Sequence, residues 1–116
     1  MKNAKVLVMG ATFKDNVSDI RNSKVADVVR ELKSFSLNVD ITDPNAESDE
    51  LKHEYGFSLS QHLSNDYDAI LVTVPHRAYK ELDDTYFAGI TKSTAIIADL
   101  KGIFRGKIHS RHYWSL

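Results

Sequence analysis

Three short apolar runs set the frame of this chain: Lys5-Val-Leu-Val-Met9, Asp68-Ala-Ile-Leu-Val-Thr-Val74 and Thr94-Ala-Ile-Ile-Ala-Asp99. Each is nearly continuous rather than alternating, and each is rich in β-branched and aliphatic side chains. A strand has this pattern when both of its faces are buried, as in a parallel sheet covered by helices on both sides. The stretches between the runs have the opposite character. Val25, Val28, Val29 and Leu32 recur at i, i+3, i+4 and i+7, which is one apolar face of a helix. Asn22 or Ser23 is placed to cap it.

The remaining punctuation fits the same alternation. Asn38-Val-Asp-Ile-Thr42 alternates and reads as a second, less buried strand, stopped by the turn-forming Asp43-Pro44. Residues 45–56 are acidic and polar, and a short helix there ends at Gly56. Phe57-Ser-Leu59 reads as a short strand or as the entry into a helical turn over Ser60-Gln-His-Leu63. Pro75 ends the second apolar run, and His76–Leu82 reads as a helix with Tyr79 and Leu82 on one side. Asp83–Ile90 is ambiguous. Leu100–Phe104 is a loop containing Gly102, and Arg111–Ser115 forms a last edge strand. The expected architecture is α/β: a three-layer, Rossmann-like, doubly wound parallel sheet in a single domain. The 116 residues suffice for one such core.

Composition closes off several function classes. With a net charge of −1 there is no global pull toward nucleic acid or an anionic membrane. The chain has no cysteine, so it offers no thiol nucleophile and no thiolate metal site. Its five histidines, His53, His62, His76, His109 and His112, form no metal-ligand spacing. No Gly-x-Ser-x-Gly elbow occurs. No apolar run approaches a membrane span and there is no secretory signal, so a cytoplasmic location is expected.

The most informative stretch is Gly10-Ala-Thr-Phe-Lys-Asp-Asn-Val-Ser-Asp-Ile-Arg-Asn-Ser23, the connection from the first strand to the first helix. It is long for that job. It holds only one glycine, where a dinucleotide fingerprint needs three. In their place it offers cations. Lys14 is a point charge suited to phosphate, and Arg21 is a planar fork that grips anions. The helix start adds a partial positive charge, which suits an anionic ligand such as a diphosphate. The alternative is that Lys14 is solvated and Arg21 pairs with Asp19 or Asp15. Asp19 orients Arg21, caps the helix or acts as a general base. Asp43 stands where a Rossmann acid would hold a ribose, but its place before Pro44 favours a turn. Asp99 and Lys101 close the third apolar run, and Lys101 either faces the same crevice as Lys14 or lies in solvent. His76, at the end of the second run, is the best placed histidine, with a surface position the expectation. Tyr113 and Trp114 are expected to cover the sheet edge.

The Gly10–Ser23 run resembles the Thr-Phe-Lys…Asp-x-Arg-x-Ser signature of the UDP-glucose/GDP-mannose dehydrogenase family, and the chain resembles that family's C-terminal, UDP-sugar-binding domain. Asp43-Pro44, Ala69–Val74, Tyr86-Phe87, Asp99-Leu-Lys-Gly102 and Tyr113–Leu116 extend the likeness over essentially the whole chain. The wording Asn16-Val-Ser-Asp-Ile-Arg-Asn-Ser-Lys-Val25 is similar to members acting on UDP-N-acetylhexosamines.

The resemblance implies an oxidoreductase that converts the C6 hydroxyl of a nucleotide sugar to a carboxylate, with hydride passed to NAD, for surface polysaccharide synthesis. It implies an N-terminal NAD-binding domain, a central helix that forms a homodimer, and a catalytic cysteine in the middle region. None of these is present in residues 1–116, so the chain is expected to be the C-terminal domain of a longer enzyme and inactive alone. By the family pattern, Phe13 and Lys14 contact the UDP-sugar and Arg21 reaches across an interdomain cleft to NAD. Arg111 is a candidate for a substrate-contacting arginine near the chain end. A free-standing nucleotide- or anion-binding module without catalysis, and a structural domain with solvated loop cations, are the alternatives.

Overall fold

A computed structural model of the chain describes residues 4–11, 25–35, 37–74 and 76–115. The elements are β1 (Lys5–Met9), α1 (Val25–Ser34), β2 (Asn38–Thr42), α2 (Ser48–Tyr55), β3 (Tyr67–Val72), a 3-10 turn (Arg77–Glu81), α3 (Asp84–Ile90), β4 (Thr91–Asp99) and β5 (His112–Ser115). The strands form one five-stranded sheet in the order β2-β1-β3-β4-β5, and every pairing is parallel. The α/β class and the doubly wound sheet expected from the apolar runs are therefore found.

Alternate residues of β1 feed two separate cores. Val6 and Val8 pack with Val25, Ala26 and Val29 of α1, with Ile41, and with Leu51 and Phe57. Leu7 and Met9 face the other way, toward Tyr67, Ile70, Ile97, Phe87 of α3 and Phe104. Phe87 and Phe104 meet edge to face with ring centroids 5.0 Å apart, the favoured aromatic geometry. A strand that supplies both cores has no polar face, which is why β1 reads as a continuous apolar run.

Several boundaries differ from the sequence reading for local reasons. Gly56 takes the left-handed conformation at φ +83° and donates its N–H to the Lys52 carbonyl, ending α2 where expected. Phe57–Leu59 is neither strand nor helix. Instead Ser60 closes the free edge of β2, its N–H donating to the Ile41 carbonyl and its hydroxyl accepting from the Ile41 N–H. The second apolar run leaves the ladder after Val72, because Thr73 turns its hydroxyl onto the Met9 and Gly10 carbonyls. His76–Leu82 forms a single 3-10 turn rather than an α-helix. Asp83–Ile90 is helical, with the Asp83 side chain accepting from the Tyr86 N–H as its cap. The third run extends back to Thr91 and is buried mainly on one face, since Ile96 is 49% exposed. Asn22 and Ser23 lie outside the described residues.

Candidate nucleotide-binding edge

All five strands point the same way, so their carboxyl ends share one edge. β1 connects outward to β2, whereas β3 continues on the other side through β4 and β5. The order in which strands are added to the sheet reverses between β1 and β3, and such a switch point opens a crevice where α/β sheets hold ligands. Gly10 and Ala11 at the end of β1, Asp43 after β2, and Thr73, Val74 and His76 after β3 build its floor.

Gly10 is there because nothing larger fits. Its φ is +112°, and a Cβ would stand 2.7 Å from the Val74 Cβ and 2.8 Å from the Val74 nitrogen. The Thr73 hydroxyl lies 3.0 Å from the Met9 carbonyl and 2.7 Å from the Gly10 carbonyl, tying the two strand ends together.

Beneath this crossing is a buried polar network. Asp43 Oδ2 accepts from the Ala11 N–H at 2.6 Å and lies 2.8 Å from His76 Nε2. Asp43 Oδ1 accepts from the Asn45 and Ala46 N–H groups at 2.7 and 3.1 Å. A carboxylate only accepts, so Nε2 carries the shared hydrogen, and Nδ1 accepts from the Asn45 amide at 3.1 Å. Asp43 is thus the turn residue expected from Asp43-Pro44, and it is also the clamp on the first amide of the β1 exit. The surface position expected for His76 is wrong: its side chain is fully buried. No motif flags it, because burial of a lone histidine depends on a partner far along the chain.

The floor's own donors are engaged. The Gly10 N–H donates to the Thr42 carbonyl at 2.8 Å, and the Ala11 N–H to Asp43. These two amides are therefore not available to an anion at this edge, and the expected ligand contacts fall on the segment that follows. Phe13, Lys14 and Arg21 belong to it, and they lie outside the described residues; so do Asp15 and Asp19. The described residues also form no dinucleotide cradle. Gly10 is the single glycine of the turn, and Asp43, in the ribose-acid position, is 6% exposed with both oxygens engaged.

Asp99 organises the neighbouring loop. Fully buried, it accepts from the Gly102 N–H at 3.0 Å, the Phe104 N–H at 2.8 Å and the Tyr113 hydroxyl at 2.5 Å. Burial and this carboxylate push the Tyr113 phenol up to about 12. Lys101 is exposed. Arg111 lies at the opposite, amino edge of the sheet, where Nε donates to the Thr91 hydroxyl at 2.8 Å and Nη2 to the Ala88 carbonyl at 3.1 Å.

The sequence model describing the UDP binding domain of the UDP-glucose/GDP-mannose dehydrogenase family matches residues 7–106. The chain belongs to this family. Among similar dehydrogenases, the UDP-N-acetyl-D-glucosamine 6-dehydrogenase of Salmonella typhi is 40% identical over 102 residues, which is 87% of this chain and 24% of that protein. Protein CapL of Staphylococcus aureus is 38% identical over 105 residues, again 24% of its length. The solved UDP-N-acetyl-mannosamine dehydrogenase Cap5O of Staphylococcus aureus superposes with a TM-score of 0.77 at 25% identity, over 99% of this chain and 26% of that one. The chain thus spans about a quarter of the length of each of these proteins. Among the described residues no helix is long and apolar enough to cross a membrane.

Proposed function

We propose that this chain is the sugar-nucleotide half of an NAD-dependent nucleotide-sugar 6-dehydrogenase. Its substrate is a UDP-hexose or, in keeping with the relatives just described, a UDP-N-acetylhexosamine, whose C6 hydroxyl is oxidised to a carboxylate for surface polysaccharide synthesis in the cytoplasm. Phe13 packs against the nucleotide sugar and Lys14 neutralises its phosphate charge. Arg21 reaches a cofactor held mainly by the N-terminal domain of the parent enzyme, which works as a homodimer.

The observation that carries this reading is the engaged floor of the β1–β3 crevice. Gly10 and Ala11 deliver the following segment to the ligand edge with their own amides already bonded. In this reading the diphosphate is recognised by side-chain cations, and Lys14 and Arg21 are the cations between Gly10 and Ser23. Amide chemical shifts of the 116-residue chain, followed through a titration with UDP and separately with uridine, test the proposal. UDP should move the signals of Gly10, Ala11 and Thr73 while uridine moves them less. No change with millimolar UDP would overturn it.

A further inference from the structure

Two consecutive amides leave the sheet at the end of β1, and each is held by an acceptor at the exit of β2. The Gly10 N–H donates to the Thr42 carbonyl at 2.8 Å, and the Ala11 N–H donates to Asp43 Oδ2 at 2.6 Å. Both acceptors are backed by side chains from the segment after β3. His76 Nε2 donates to Asp43 Oδ2 at 2.8 Å, and the Tyr79 hydroxyl donates to the Thr42 carbonyl at 3.4 Å. The two rings meet edge to face with centroids 5.6 Å apart, so they brace each other.

His76 is fully buried and Tyr79 is 5% exposed, so neither presents a surface to a ligand. The imidazole is nonetheless oriented on both sides. The Asn45 amide donates to Nδ1 at 3.1 Å, which keeps the ring hydrogen on Nε2, toward Asp43. Donors also converge on the other carboxylate oxygen, from the Asn45 and Ala46 N–H groups. The carboxylate is thus locked in the one orientation that receives Ala11.

We propose that His76 is a positioning residue for diphosphate recognition. It holds the Asp43 carboxylate against the Ala11 N–H and so fixes the point from which the chain runs on into the segment that grips the diphosphate. This rests on the function proposed above and adds to it a buried histidine that never meets the substrate. An oriented contact loses affinity when its support loosens, because the ordering must then be supplied at the moment of binding.

UDP titrations of the 116-residue chain and its variants, read by amide chemical shifts, test the role. His76→Leu keeps the bulk and removes both ring nitrogens. It should weaken UDP binding roughly tenfold, the equivalent of one lost hydrogen bond. His76→Gln places an amide nitrogen where Nε2 stands and should recover most of that loss, which a need for volume alone would not produce. Asp43→Asn keeps the shape but must turn an NH2 group toward either Ala11 or the Asn45 and Ala46 donors. It should weaken UDP binding to a similar degree and move the Ala11 amide proton upfield, which keeps the role testable if His76→Leu does not fold. UDP binding equal to that of the unaltered chain in folded His76→Leu or Asp43→Asn would overturn the proposal. So would a His76→Gln chain that binds no better than His76→Leu. Lys14→Ala separates this from the site assignment. Affinity lost in Lys14→Ala but kept in Asp43→Asn faults the positioning role alone, and the reverse upholds it while faulting the assignment of Lys14. No UDP binding by the unaltered chain would overturn both.

Discussion

His76 Nε2 lies 2.8 Å from Asp43 Oδ2, with both side chains fully buried, and the same oxygen receives the Ala11 N–H where β1 leaves the sheet. Two residues far apart in sequence thereby fix the base of the proposed ligand segment. His76→Ala removes the imidazole from between Asp43 and Asn45 and leaves a cavity. It should destabilise the chain by about 2–4 kcal/mol. Urea unfolding reads this as a lower midpoint at unchanged slope, and a loss within the range of an ordinary surface substitution would show that the network does not hold the edge.

Gly10 and Gly56 both have positive φ but differ in surroundings. A Cβ at Gly10 meets Val74 at 2.7 Å, whereas at Gly56 nothing lies within 4 Å. Gly56→Ala should cost only the left-handed backbone penalty, about 1–2 kcal/mol. Gly10→Ala adds a clash with the β3 exit and should cost about 3 kcal/mol or more. Thermal unfolding of the two variants side by side checks the ranking.

Lys14→Ala should weaken UDP binding by about 1–3 kcal/mol, the range for a charge-assisted contact. In the intact dehydrogenase, Arg21→Ala should raise the KM for NAD more than that for the UDP-sugar. Steady-state kinetics with each substrate varied in turn would reject the assignment of Arg21 if both constants rose equally.

The tyrosines should make the fold sensitive to alkali. Burial, aided by the Asp40 carboxylate, raises Tyr67 from 10.0 to about 12, and burial aided by Asp99 raises Tyr113 likewise. Between those values the folded chain holds protons that the unfolded chain has lost, so stability falls as pH rises from 10 to 12. Phenolate absorbance should lag behind that of the urea-unfolded chain and then rise with unfolding. Tyr67→Phe should flatten part of the slope.

At the acid end, Asp84 accepts from the Ser110 hydroxyl and from the Ser110 and His109 N–H groups, which lower it from 3.8 to about 2. A depressed carboxylate contributes stability above its unfolded value, and that contribution is lost as pH falls from 3.8 toward 2. Asp84→Asn should flatten the acid unfolding profile in this window, although the exposed position keeps the effect small.

The sheet was legible in the sequence because burial on both faces leaves a mark every reader can see: an unbroken apolar run. The αL glycine that ends α2 was legible for the same local reason. Ile96 shows where the signal fails. It sits in a run as apolar as β1, yet half of it faces outward, because a run reports what must be covered and not what covers it. The proposed roles of Phe13, Lys14 and Arg21 come from the resemblance alone.

By itself, then, the sequence determined the α/β class and the family, and it is the source of the proposal for Lys14 and Arg21. Tertiary structure decided that His76 is buried, that Asp43 clamps Ala11 and is no longer free for a ribose, that Arg111 lies at the far edge, and that Ile96 and Trp114 stand half exposed on the sheet. The physical reason is the range of the interactions. Periodicity and turn chemistry act between residues a few positions apart, whereas a buried histidine–aspartate pair or an uncovered sheet face exists only once distant strands have been brought side by side.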